Sequence, residues 1–388
     1  MNKLKQKFQE LLTWSERYTE TNMSYVVGGG FWLIAGRTAL LLISFVLMLA
    51  FANFLPRETY GKYQYLIAII SVLSIFTLPG IHTSMVKSIA QGKDGTMQLA
   101  MRHKIRWGLL GSLFSLLICA WYLWRGNQLL ATAFFMGALF LPFLESFQIY
   151  LYFWNGKKRF DKQVKYEVFS ATMVTLALLV ALYTSNNLLI ILAAFLLGHT
   201  LFDWLLYKKT LAYVENDKED PQAISFGKHL TIMGFLSVAA THLDKLLLWR
   251  FLGAAEVAVY SFAQLPVNKI ANIVPITSLA LPRLGEQDIK LKKRGILKKF
   301  YKMFFVFLPL ALILAASSPL IYKLLLPQYL ESIVYFHALC LLIALAPFAL
   351  LTAALTADLR QKDLYVINTA SPILKIALFI TLTPLLGI

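Results

Sequence analysis

The stretch Val26-Val27-Gly28-Gly29-Gly30-Phe31-Trp32-Leu33-Ile34-Ala35-Gly36-Arg37-Thr38-Ala39-Leu40-Leu41-Leu42-Ile43-Ser44-Phe45-Val46-Leu47-Met48-Leu49-Ala50-Phe51-Ala52-Asn53-Phe54 decides the fold class. It is long enough to cross a bilayer as a helix and holds one charged side chain, Arg37. It is too long for a signal-peptide core and lacks a small-residue cleavage site, so it reads as a retained first span. An Arg in hydrocarbon costs about 2.5–3.5 kcal/mol on insertion scales, so its presence calls for a use.

The rest of the chain repeats this pattern. Of 388 residues, 58% are hydrophobic and 15% charged, with a mean hydropathy of +0.64. Apolar runs occur at 26–54, 63–83, 106–124, 129–152, 167–184, 188–207, 229–252, 257–281, 300–322, 331–356 and 364–388, eleven expected spans. Helices are the expected conformation, because lipid offers no partner to an unpaired backbone group. The alternation of a membrane barrel is absent. An all-α polytopic membrane protein is therefore expected.

The net charge of +17 points to topology, and no nucleic-acid partner is expected. Basic residues sit in short segments between spans, without an aromatic-interleaved soluble patch. With the N-terminus in the cytoplasm, 28 Lys and Arg fall on cytoplasmic segments and five on outer loops, counting Arg250 as outer. Runs such as Lys157-Lys158-Arg159 then read as contacts with anionic inner-leaflet lipid. Cys119 and Cys340 sit alone in apolar runs and read as small buried hydrophobes. No metal or other cofactor is expected.

The polar break 208–228 separates an N-terminal segment (1–25) and first bundle (26–207) from a second bundle (229–388). The two sides echo each other. Phe54-Leu55-Pro56-Arg57-Glu58-Thr59-Tyr60-Gly61-Lys62-Tyr63 answers Phe251-Leu252-Gly253-Ala254-Ala255-Glu256-Val257-Ala258-Val259-Tyr260, and Pro79 and Lys87 answer Pro275 and Arg283. Six spans per copy make a parallel repeat about a pseudo-two-fold along the membrane normal, with a substrate site where the halves meet. That arrangement points to a transporter. On this count the second bundle lacks its last helix, which suggests a truncated sequence.

Asp244-Lys245-Leu246-Leu247-Leu248 with Phe251-Leu252-Gly253 and Val259-Tyr260, together with Phe54 to Gly61, resembles the polysaccharide-biosynthesis branch of the multidrug/oligosaccharidyl-lipid/polysaccharide exporter superfamily. O-antigen flippases belong to that branch. The resemblance implies two six-helix bundles that move undecaprenyl-diphosphate-linked sugars outward across the bacterial inner membrane. Partners in that setting are the lipid-linked oligosaccharide, membrane lipids, and a polysaccharide polymerase or chain-length regulator, with the exporter itself a monomer.

Four cations lie within spans: Arg37, Lys245, Lys269 and Lys375. Helical spacing aligns Arg37 with Gly30 and Ser44, Lys269 with Asn272 in a polar stretch that also holds Gln264 and Asn268, and Lys375 with Asn368 and Ser371. These are expected to line a central cavity and face phosphate. Lys245 is placed between that role and a structural one beside Asp244. Glu145, on a stripe with Gln148 and Tyr152, and Asp244 are either counter-charges or proton- or ion-coupling groups. His82 is expected to be a packing residue or a proton relay, and Asp203 a rim residue. The polyprenyl tail is expected to stay in lipid between the bundles. Six prolines, Pro79, Pro142, Pro275, Pro309, Pro347 and Pro372, are expected to kink helices.

A net-basic interior favours anionic cargo over the cationic drugs of multidrug antiporters in the same superfamily; a lipid II-type flippase is a further alternative. A glycosyl-polymerising enzyme is disfavoured, because the outer loops are short and no Asp-x-Asp, His-Glu-x-x-His or nucleotide-binding glycine loop is present.

Overall fold

The computed structural model describes residues 23–271, 289–357 and 361–386. Every regular element among them is helical: α1 (Met23–Phe54), α2 (Arg57–Leu73), α3 (Gly80–Ala90), α4 (Thr96–Trp124), α5 (Gln128–Leu144), α6 (Ile149–Gly156), α7 (Phe160–Thr184) and α8 (Leu188–Leu211), then α9 (Pro221–Phe251), α10 (Ala254–Ala271), α11 (Ile289–Leu325), α12 (Ser332–Leu345), α13 (Phe348–Ala357) and α14 (Gln361–Leu386), with short 3₁₀ turns at Ser74–Thr77 and Pro327–Tyr329. Each expected span carries a helix. Among the described residues eight helical segments are long and apolar enough to cross a membrane, and α2 with α3, bent by 46°, makes a ninth when taken as one span. The N-terminal segment to residue 22, Asn272, Pro275 and Arg283 lie outside the described residues, as do the surroundings of Gly30 and the side chains of Lys290 to Arg294 and Asn368.

Local sequence explains the ends and breaks. Asn127 and Asn187 cap α5 and α8 by accepting from Leu130 N at 3.1 Å and Leu189 N at 2.9 Å. Asp220 caps α9, with Pro221 at the first turn, where its missing N–H is no loss. Before Pro79 the chain turns through Leu78, which has a left-handed φ of 58°. Pro142 lies in the last turn of α5, just ahead of the break at residues 145–148. Pro347 separates α12 from α13, whereas Pro309 lies within the unbroken α11.

The first half packs as α1 on α7, α4 on α5, α7 on α8 and α3 on α6. In the second half α11 and α10 pack on α12, and α14 packs on α9. The halves meet where α2 lies against α10 and α3 against α9. At the first contact a Cβ on Gly61 would overlap the Ala254 carbonyl, and at the second a Cβ on Gly80 would overlap the Gly227 carbonyl. Only glycine permits so close an approach. The echoing segments around Gly61 and Ala254 are thus direct neighbours. Beside them Phe51, Tyr60, Phe262 and Tyr329 pack in series as tilted ring pairs, with centroids 5.1, 4.5 and 4.0 Å apart. One apolar core therefore runs across the junction. Leu109, Leu113 and Leu117 of α4, and Leu312, Ile313 and Leu320 of α11, face outward, as lipid-facing surfaces require.

Two expectations need correction. The helix α4 begins ten residues before the expected 106, so Lys104, expected in a loop, is on a helix and fully buried. The break 208–228 is mostly helix, and its remaining chain is docked. Lys157 bridges Asp94 at 2.8 Å and Glu215 at 3.2 Å, Asn216 donates to the Gly92 carbonyl, and Asp220 accepts from Lys93 and Ser88.

Candidate functional site

A cavity of about 350 Å³ opens among α1, α2, α6, α7, α8 and α10. Its polar lining includes Gln148, Glu167, Ser170, His199, Asp203 and Lys269. A second cavity, of about 210 Å³, lies on the other side of α10, among α1, α11 and α12, and its lining is almost wholly apolar. Ser44 and Lys269 line both. Lys269 is therefore at the join between the halves.

Lys269 and Arg37 are the two cations whose fields act on the Glu167 carboxyl. Helix α7 presents Glu167 to the cavity because Ser170, Ala171 and Val174 follow it at helical spacing on the same wall. Sequence reading missed Glu167 because it fell on the assumed first residue of a span, where an acid reads as solvated. Its spacing to Ser170 was the available signal.

Asp203 is buried rather than at the rim. Its Oδ1 accepts from Ser170 Oγ at 2.6 Å and Tyr150 Oη at 3.0 Å, and its Oδ2 lies 3.6 Å from His199 Nδ1. The two donors come from α6 and α7 while Asp203 and His199 share α8, so no single stripe of sequence reveals the cluster. The cavity wall thus carries two acids as well as Lys269.

A second polar cluster joins the halves away from this cavity. Asp244 accepts from Tyr260 Oη and Gln264 Nε2, both at 2.8 Å, while Lys245 donates to Gln64 Oε1 at 2.9 Å. Gln64 in turn donates to Tyr60 Oη at 2.7 Å. Gln264 therefore serves Asp244 instead of continuing a Lys269 stripe. Asn268 is exposed on α10. Lys375, on α14, acts on His242 of α9 and is not among the residues lining either cavity. Arg37 and Lys269 both act on Glu167, but Arg37, like Lys375 and Lys245, is not among the residues lining either cavity.

Glu145 and Gln148 also separate. The expected stripe assumed one helix over 129–152, but the break at 145–148 ends the helical spacing. Gln148 lines the cavity, while Glu145 accepts from Ser74 Oγ at 2.9 Å and Thr77 Oγ1 at 3.4 Å. One carboxylate thereby ties two helix breaks together. Glu145 acts electrostatically on the buried Lys104, and Lys104 in turn acts on His82. His82 is buried, stacked on Tyr152 at 4.0 Å. Cys119 and Cys340 are buried thiols.

Outside the spans, Lys93 donates to Asp220 and holds its carboxyl below the ordinary range. Burial pulls the Lys157 ammonium down, but its hydrogen bonds to Asp94 and Glu215 outweigh that and hold it above its ordinary value.

Chemically, the arrangement offers a cationic point flanked by acids, a wet wall on one side and a hydrocarbon wall on the other. It suits binding and release more than bond cleavage. A family model described as polysaccharide biosynthesis protein matches residues 26–287. No curated protein matches the chain significantly in sequence. The fold is similar to that of MATE crystallised in complex with MaD5, with a TM-score of 0.63, 13% identity, and coverage of 89% of this chain and 85% of that one. It is also similar to the inward-facing conformation of a multidrug resistance MATE family transporter of the MOP superfamily, with a TM-score of 0.59, 14% identity, and coverage of 86% and 87%. At such identities the likeness is one of fold.

Proposed function

Because this chain belongs to the polysaccharide biosynthesis protein family, we propose that it is a flippase for undecaprenyl-diphosphate-linked oligosaccharide, the repeat unit of an O-antigen, capsule or exopolysaccharide. The observation that supports this reading is Lys269 lining both cavities, with Arg37 and Lys269 both acting on Glu167. A diphosphate bears about two negative charges, and Arg and Lys in a low-dielectric cavity are natural partners for it. The sugars face Gln148, Tyr63 and Ser170 across the polar cavity. Lys375 and Lys245 are proposed to meet the anion at other stages of an alternating-access cycle.

The protein acts in the bacterial inner membrane as a carrier without catalysis, with the Asp94 end in the cytoplasm. An inside-negative potential favours outward movement of an anion by about 2.3 kcal/mol per charge per 100 mV. Coupling in this form needs no dedicated ion site. The test is reconstitution in vesicles with a fluorescent undecaprenyl-diphosphate oligosaccharide. Outward appearance that depends on the protein and slows when the potential is collapsed is the expected result, and its absence rejects the reading.

A drug/cation antiporter is the second reading, favoured by Glu167 and Asp203 in the same cavity. Efflux of a cationic dye from the same vesicles, blocked by E167Q, distinguishes it.

A further inference from the structure

We infer that the apolar cavity among α1, α10, α11 and α12 holds the first units of the hydrocarbon chain of the lipid whose phosphate meets Lys269. The inference rests on the flippase reading and goes beyond it, since a tail left wholly in bulk lipid needs no cavity. The cavity is walled by Met48, Leu265, Pro266, Leu314 and Phe336, among others, and Lys269 and Ser44 are shared with the polar cavity. One amphipathic molecule fits that division. Its charged junction sits at Lys269, its polar part turns towards Gln148 and Glu167, and its chain turns towards Leu314 and Phe336.

Size sets how much chain enters. An apolar cavity of about 150 Å³ stays dry and accepts a benzene-sized hydrocarbon. At about 210 Å³ this one accepts somewhat more, which fits one or two five-carbon units. Phe45, exposed on α1, stands at its edge, where the remaining chain can pass into lipid. The shared Lys269 is what selects a lipid phosphate over an uncharged hydrocarbon.

The test measures binding of geranyl phosphate, farnesyl phosphate and inorganic phosphate to the purified full chain by native mass spectrometry. Wild type is expected to bind geranyl phosphate at least tenfold more tightly than inorganic phosphate. Leu265→Trp and Leu314→Trp, which fill the cavity from different helices, are expected to erase most of that difference and leave inorganic phosphate binding unchanged. Met48→Ala, which enlarges the cavity, is expected to shift preference towards farnesyl phosphate by threefold or more, and it serves if the tryptophan variants do not fold. Geranyl phosphate binding unchanged in the filled variants, or no shift in M48A, overturns the inference. Failure of the underlying reading looks different: Lys269→Gln would leave binding of all three phosphates unchanged.

Discussion

Lys245 of α9 donates a 2.9 Å hydrogen bond to Oε1 of Gln64 on α2, joining residues 181 positions apart in the chain. The same ammonium is adjacent to Asp244, whose carboxylate is held by Tyr260 and Gln264. A residue that reads as a stray intramembrane charge is thus part of the seam between the two halves. Hydrogen bonds to charged groups contribute about 1.5–3 kcal/mol, and an unpaired buried partner costs more than a matched apolar pair. Gln64→Leu is therefore expected to lower thermal stability clearly. The double variant Gln64→Leu/Lys245→Met should recover most of the loss in a double-mutant cycle; strictly additive losses would show that the two side chains do not act as a pair.

The glycine at position 61 sets how closely α2 and α10 approach. Nearby, Arg57 pairs with Glu331 at 3.1 Å and donates to the Gln328 carbonyl, which closes this end. Gly61→Val is expected to force the helices apart and favour an arrangement open at the Arg57 end. Spin labels at the exposed Asn186 and Lys323 would report it as a longer mean distance. An unchanged distance distribution would assign the closure to other contacts.

Around the docked segment 212–220, Asp94 is fully buried and Lys157 is its cation. Removing one partner of a buried pair costs about 3–5 kcal/mol. Lys157→Met is expected to release the segment to limited proteolysis, and Lys157→Met/Asp94→Asn to restore much of its protection. The pH signs follow from the two shifts. Asp220 has a depressed folded pKa, so its contribution is present at neutral pH and lost as pH falls through that value. Lys157 has a raised folded pKa, so its contribution is present at neutral pH and lost as pH rises through that value. Cleavage is expected to be slowest near neutral pH and to accelerate on both sides; a monotonic profile would count against this assignment.

The structure suggests a ranking of three of the four intramembrane cations. Lys269→Gln and Arg37→Gln are expected to reduce oligosaccharide flipping tenfold or more, and Lys269→Arg to retain more activity than Lys269→Gln. Lys375→Gln, on α14 beside α9, is expected to have a smaller effect. Vesicle flipping rates normalised to protein content make the comparison. Equal losses at positions 37, 269 and 375 would put all three on one path and reject the ranking.

Glu145 spans the breaks before α3 and α6 through Ser74 and Thr77. Glu145→Leu is expected to destabilise the fold by about 1–3 kcal/mol, because it removes the acceptor of Ser74 and Thr77 and the carboxylate whose field favours the charged form of the buried Lys104. Glu145→Leu/Lys104→Met should recover part of this in a thermal unfolding series. A double variant as unstable as the sum of the singles would separate Lys104 from Glu145.

Much of the architecture is legible in the sequence. Each apolar run carries a helix, and Pro79 marks the bend between α2 and α3, because span length and proline geometry are local properties. The site was legible only where helical spacing survives. Lys269 reached the cavity, but Gln264 turned to Asp244, and the break after Pro142 separated Glu145 from Gln148.

The order of residues along the chain therefore settles the membrane class, the helix segments and the presence of buried charge, since hydropathy, capping and backbone satisfaction act over a few turns. Which charges share a space was decided by packing. Glu167 and Lys269 line one cavity from α7 and α10 while Arg37 of α1 acts on Glu167, Asp203 finds donors on α6 and α7, and Lys245 reaches Gln64 across the seam. Electrostatic and hydrogen-bond partners are set by distance in space, and helices far apart in sequence acquire that distance only when their glycine and aromatic surfaces fit.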